Sequence, residues 1–250
     1  MPVDFAALIK PSGAPAAGFT IDSGVFGRFP GIRIPVAVAH GIDDDVARPD
    51  VEAAWREAWA GAAAAVEYGN AQSHPRIKPW RDRFRELGIS GKEFPSSAEA
   101  LLRRAMKGGE PFMVNPLVDF YNAVSLRQYA PAGAFDLDDM TGALELRITR
   151  QGDTFWSMDA DEPVPVEPGE VAYADAECIL TRHFVWRQAR TGLVGPGTRS
   201  VVLVAEVLAE LGPDAGEAML ADLVAGLRRH FGVEPVCAAV AHEGRPSVTW

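Results

Sequence analysis

Apolar positions recur every three or four residues in some stretches of the chain, and every second residue or in short unbroken runs in others. Val51, Trp55, Trp59, Ala62 and Val66 follow Pro49 at helical spacing, and Gly69-Asn70 closes the pattern. This predicts a long amphipathic helix with its tryptophans in the core. A second helix, over residues 79–87, puts Trp80, Phe84 and Leu87 on one face and Arg81, Arg83 and Arg85 elsewhere. A third begins at Ser96, whose hydroxyl caps it while Glu99 reaches back; it buries Leu101, Leu102 and Ala105 and exposes Arg103, Arg104 and Lys107. Asn115-Pro116 opens a fourth, with Leu117, Phe120, Tyr121 and Val124 inward. The last covers residues 214–231, with Leu220, Leu223, Val224, Leu227 and Phe231 on one face and Gly232 as its stop.

Residues 19–29 and 31–40 read as two strands around Pro30-Gly31, and residues 143–150, 169–174, 177–186, 199–207 and 236–241 as further strands. His40-Gly-Ile-Asp-Asp-Asp reads as a solvated acidic loop. Helices gathered in the middle and strands later predict an α+β domain, a mixed or antiparallel sheet flanked by helices, rather than alternating βαβ units. Residues 1–18 read as a flexible segment and residues 19–250 as the domain.

With 48% hydrophobic residues the chain is globular rather than disordered. Cys178 and Cys237 are too few for a disulfide framework or a four-thiolate zinc site and read as buried reduced thiols. The start of the chain lacks a signal-peptide pattern, and no apolar run approaches the roughly 18 residues of a membrane helix, so a cytoplasmic protein without membrane contact is expected. A net charge of −10 argues against general nucleic-acid binding, DNA included. One local exception exists: residues 76–107 hold nine basic and four acidic residues.

Phosphate-loop, dinucleotide, zinc-protease and serine-hydrolase signatures are absent, and the five histidines lack metal-ligand spacing. No metal and no cofactor is expected. In NPLVDFYNAVSLR (residues 115–127), Asp119, Asn122 and Ser125 recur every three residues beside an apolar helix face, either as a surface stripe or as a line of donors and acceptors. Nearby, in PAGAFDLD (residues 131–138), Gly133 permits close backbone approach and Phe135 can wall a small pocket.

The run NPLVDFYNAVSL, then PAGAFDLDDMTGALELRIT, then GEVAYAD and finally Thr198 entering the strand at residues 200–204 closely resemble the B3/B4 editing domain of the phenylalanyl-tRNA synthetase β subunit. PWRDRF, SSAEALLRR and VWRQARTG make the chain look more like the free-standing B3/B4 proteins. The resemblance covers about residues 75–208. It implies a compact α+β module that hydrolyses the ester between a wrong amino acid and the aminoacylated 3′ end of tRNA. Without an aminoacylation domain, the chain would act in trans.

Asn122 matches an asparagine lining the family's editing pocket and is the expected catalytic residue, orienting water or carbonyl. The expected substrate contacts are Asn115, Asp119 (for the α-ammonium), Ser125, Gly133, Phe135, Arg187 (for a phosphate) and Thr198. Arg81, Arg85, Arg103, Arg104 and Lys107 are the expected tRNA contacts. Two departures remove the implication of tyrosine specificity: Gly133 replaces a histidine of the family pattern, and no acid near Arg187 and Gln188 matches the glutamate that reads a tyrosine hydroxyl. Two alternatives remain open, a module that binds tRNA or an amino-acid-like ligand without turnover and a small-molecule hydrolase.

Overall fold

The computed structural model describes residues 18–250, so the flexible segment expected over residues 1–18 lies outside them except for Gly18, which opens a strand. Twelve strands, β1 Gly18–Ile21, β2 Ile34–His40, β3 Ala132–Asp136, β4 Leu144–Ile148, β5 Thr154–Phe155, β6 Val164–Pro165, β7 Val171–Ala174, β8 Thr181–Arg182, β9 Arg187–Gln188, β10 Ser200–Ala205, β11 Cys237–Ala241 and β12 Ser247–Thr249, are described. So are six α-helices: α1 Ser23–Arg28, α2 Pro49–Ala63, α3 Lys78–Glu86, α4 Ser97–Met106, α5 Pro116–Gln128 and α6 Ala215–Gly226. The fold is α+β, as expected, with two four-stranded sheets rather than one sheet, ordered β12-β1-β4-β7 and β11-β2-β10-β3, and two short pairs, β5-β6 and β8-β9. β1 and β4 run parallel; the other neighbours in both sheets are antiparallel.

Alternation along the strands of the second sheet explains the layering. Ile34, Val36 and Val38 of β2 and Val202 and Val204 of β10 face the first sheet's Phe19, Leu144, Leu146 and Tyr173. Ala37, Ala39, Val201, Leu203 and Ala205 face the other way, onto Leu117, Phe120 and Val124 of α5 and Met219 and Leu223 of α6. A sheet buried on both faces needs the unbroken apolar runs IPVAVA and SVVLVA. Trp55 and Trp59 of α2 pack with α4 and the far side of α5, and their indole N–H groups donate to Phe112 O and Gly109 O.

Several expectations need correction. The first predicted strand ends at Ile21, because the Asp22 carboxylate accepts from Gly24 N and starts α1 instead. α2 stops at Ala63, and a 3-10 turn, Ala65–Tyr68, carries the chain on. The strand expected over residues 177–186 shrinks to β8, because His183 and Phe184 take left-handed conformations (φ 46° and 64°) and turn the chain back as β9. The acidic loop is not wholly solvated: Asp44 folds under, accepts from Leu117 N at 2.8 Å in the first turn of α5, and is pushed up to about 6 by burial. Cys178 and Cys237 are half-buried and not joined to each other, and Cys178 lies in a loop.

Gly226 marks the tightest approach between helices, since a Cβ there would sit 2.0 Å from Phe120 Cε2. Gly226→Ala is expected to destabilise the protein by about 3 kcal/mol as α6 is forced off α5, read as a lower urea midpoint.

Candidate functional site

At one edge of the layered sheets, the edge strands β3 and β7 face each other, and the β8–β9 hairpin packs beside β7. A cavity of about 100 Å3 occupies this edge. Gly133, Phe135, Tyr173 and Val204 contribute to its walls, Phe184, Trp186, Arg187 and Gln188 come from the β8–β9 hairpin, and Ser97 from the start of α4. The hairpin is hooked on by the Gln188 amide, which donates to Ala134 O at 3.1 Å and Gly192 O at 3.3 Å. Its strained turn is held because Phe184 is buried edge-on against Phe29 and Trp80, while the Glu170 carboxylate accepts from Arg182 and from His183 N.

Gly133 pairs with Val204 across the sheet. Its φ is not positive, and a Cβ placed on it would meet nothing within 4 Å. The residue therefore contributes open volume at the cavity wall rather than a special backbone conformation.

Glu206 is the residue that sequence reasoning missed. It follows β10 directly, its backbone N–H donates to Pro131 O at 3.0 Å, and its side chain is 4% exposed. The Tyr173 hydroxyl donates to Glu206 Oε1 at 2.7 Å. Burial raises the Glu206 carboxyl to about 8 against the lowering effect of that hydrogen bond, so at neutral pH it is a neutral acid with a proton to donate. A lone acidic residue closing the apolar run VVLVA was the available signal. Arg187 also lines the cavity and pairs with Asp159 at 3.0 Å, both side chains being partly exposed. Such a pair is weak enough for the guanidinium to exchange onto an anionic ligand.

Of the expected substrate residues, Gly133, Phe135 and Arg187 meet at this cavity. The others do not line it. Asn115 caps α5 by accepting from Val118 N, and Asp119 accepts from Val114 N. The Ser125 hydroxyl donates to Ala130 O, and that of Thr198 to Asp136 at 2.6 Å. Asn122 is buried on α5, whose apolar face packs on the opposite side of the second sheet. Asp119, Asn122 and Ser125 are thus neither a surface stripe nor part of the cavity lining.

The part of the basic segment that lies on α3 is paired. Arg81 makes a two-pronged bond to buried Glu99, at 2.8 and 2.7 Å, and donates to Gly91 O; Glu99 therefore does not reach back to the cap. Arg85 bonds Asp82 at 2.9 Å, and Arg83 bonds Glu86 and Glu210. Arg103, Arg104 and Lys107 make no ion pair among the described residues and cluster at the C-terminal end of α4, with Arg104 stacked on Phe112 at 5.0 Å. At 1.5 Å per residue they lie about 9 to 15 Å along the helix from Ser97 at the cavity. No helix among the described residues is long and apolar enough to cross a membrane.

The sequence profile of the B3/4 domain matches residues 80–212, more than half of the chain. No curated protein matches it. Among solved structures, an N-terminal fragment of the phenylalanyl-tRNA synthetase beta-subunit from Pyrococcus horikoshii superposes with a TM-score of 0.47 at 10% identity, covering 91% of this chain and 53% of that one. The chain thus spans about half of that fragment's length.

Proposed function

The chain belongs to the B3/4 domain family, and on that premise we propose that it is a trans-acting, cytoplasmic aminoacyl-tRNA deacylase, with residues 19–250 as one domain. It hydrolyses the ester of a small amino acid at the 3′ end of a mischarged tRNA. The carrying observation is the cavity containing the neutral Glu206 carboxyl, supported by the sequence resemblance to an editing module.

An aminoacyl ester is already activated, so a positioned water and a donor to the developing oxyanion suffice. Water adds to the ester carbonyl carbon and the carbonyl electron pair moves onto oxygen, which accepts a hydrogen bond from the Glu206 carboxyl. Collapse breaks the bond to the ribose oxygen, which takes the proton lost by water, releasing the amino acid and a free tRNA hydroxyl. Arg187 at the wall meets a phosphate near the tRNA end, and Arg103, Arg104, Lys107 and Arg85 hold more distant phosphates. Asn122 and Arg81 have no direct part in this reading.

Size sets the substrate. A sealed cavity of about 150 Å3 accommodates benzene; this one, about 100 Å3 and open to solvent on one side, favours a side chain smaller than a phenyl ring. The wild type is expected to deacylate tRNA charged with alanine, serine or threonine well ahead of phenylalanine or tyrosine. Gly133→Val fills open space on an edge strand and should fold with a melting temperature near that of the wild type, while losing deacylation by about tenfold or more. Undiminished activity in that variant would remove the cavity from the mechanism.

A non-catalytic binding module is the second reading, favoured by a lining with neither His nor Cys to act as base or nucleophile. A binder would protect the ester from spontaneous hydrolysis, whereas a deacylase shortens its life.

A further inference from the structure

A second concavity, of about 450 Å3, lies where the last turn of α2 faces the link from α5 to β3. Small residues, Gly61 and Ala64, leave one side open, and the other carries Tyr68, His74, Arg76 and Tyr129. The three rings form a continuous aromatic wall: Tyr129 stacks on His74 at 3.9 Å, and Tyr68 meets His74 edge-on at 4.6 Å. Its volume falls within the usual range of small-molecule sites.

Two features go beyond shape. Tyr129 occupies the left-handed C-cap position of α5 at φ 52°, where glycine is the favoured residue. A half-buried ring retained at a strained position points to a use for the ring. Arg76 donates through Nε to Gln128 O at 2.9 Å, which fixes the guanidinium, and makes no ion pair among the described residues. His74 accepts from Arg76 N through Nδ1 at 3.2 Å, and burial lowers its pKa, so it is a neutral ring with its proton on Nε2. Glu67, also at the rim, is the one carboxylate in the lining and interacts with the Tyr68 hydroxyl, which leaves the Arg76 side as the place for an anion.

We propose that this groove binds a nucleoside monophosphate unit, with the base stacked on the Tyr129–Tyr68 wall and the phosphate on Arg76. Half-buried rings lining a groove beside a fixed guanidinium are the combination that holds single nucleotides with little regard to sequence. Tyr129 is three residues from Ala132 in the cavity wall, at most about 11 Å along the chain. Assigning the unit to the RNA end whose ester enters the cavity rests on the deacylase reading; nucleotide binding itself does not.

The test is calorimetric titration of the full chain with adenosine 5′-monophosphate, adenosine, inorganic phosphate and the tetranucleotide ACCA. The monophosphate is expected to bind more tightly than adenosine or phosphate alone. Tyr129→Gly, which keeps the left-handed turn and removes the ring, should weaken it about tenfold or more in a protein that still unfolds cooperatively. Arg76→Gln should weaken the monophosphate and leave adenosine unchanged. Gly133→Val should leave the monophosphate affinity intact, so that failure of the groove and failure of the deacylase reading are told apart. Binding of ACCA with the same loss in Tyr129→Gly identifies the occupant as an RNA end; binding of the monophosphate alone identifies a free nucleotide. Absence of monophosphate binding at millimolar concentration, or equal binding by Tyr129→Gly, overturns the proposal.

Discussion

Replacing Glu206 by glutamine is expected to make the protein more stable relative to the wild type as pH rises, by about 2–3 kcal/mol between pH 6 and pH 9. The sign follows from the direction of the shift. In the folded chain Glu206 keeps its proton to about pH 8, whereas an unfolded glutamate releases it near 4.5. The unfolded state therefore binds fewer protons through that window, and wild-type stability falls with rising pH. Glutamine has nothing to release, its carbonyl still accepts from Tyr173, and the difference between the two proteins isolates this group. Unfolding in urea at several pH values reads it directly; a constant difference would show that Glu206 is ionised throughout.

The same substitution separates two chemical roles. An amide donates as a neutral carboxyl does, so Glu206→Gln should retain deacylation near pH 7 and outlast the wild type above pH 8, where the wild-type donor is lost. Glu206→Ala removes the donor and should lower the rate by about 100-fold or more. A rate that instead rose with Glu206 ionisation, and vanished in Glu206→Gln, would make the carboxylate a general base.

Arg81→Ala is expected to cost about 3–5 kcal/mol, because it strands the Glu99 carboxylate, 1% exposed, without its partner. Arg85→Ala, four residues along the same helix, should change stability by less than about 0.5 kcal/mol, since its bond to Asp82 is made at an exposed side chain. Thermal unfolding of the two variants checks this contrast. Equal and small effects would restore Arg81 to the RNA-binding surface. Charge reversal intended to test tRNA docking therefore belongs at Arg103, Arg104 and Lys107, where no fold contact of this kind is lost.

What the sequence made legible was what local rules govern. The caps Ser96 and Asn115, the tryptophan spacing of α2 and the unbroken apolar run of β10 each identify an element from its own residues. What escaped depends on contacts distant in sequence. Nothing within residues 131–138 reveals that PAGAFD is an edge strand, because the pairing that makes it one, with β10, lies some seventy residues away. The polar line on α5 was visible, but its environment was not: Asp119 and Ser125 satisfy nearby backbone groups, while the cavity opens past β3. Arg81 and Glu99 share one basic stretch, yet only the folded structure, which brings the two side chains together, shows them to be one buried pair. Glu206 became a candidate when its strand set it opposite Tyr173 of the other sheet.

The most direct test of the account is the half-life of seryl-tRNA at pH 7 with and without the protein. A shorter half-life is expected in its presence, with phenylalanyl-tRNA little affected. An unchanged or lengthened half-life, with tRNA still bound, would contradict catalysis and leave a binding module.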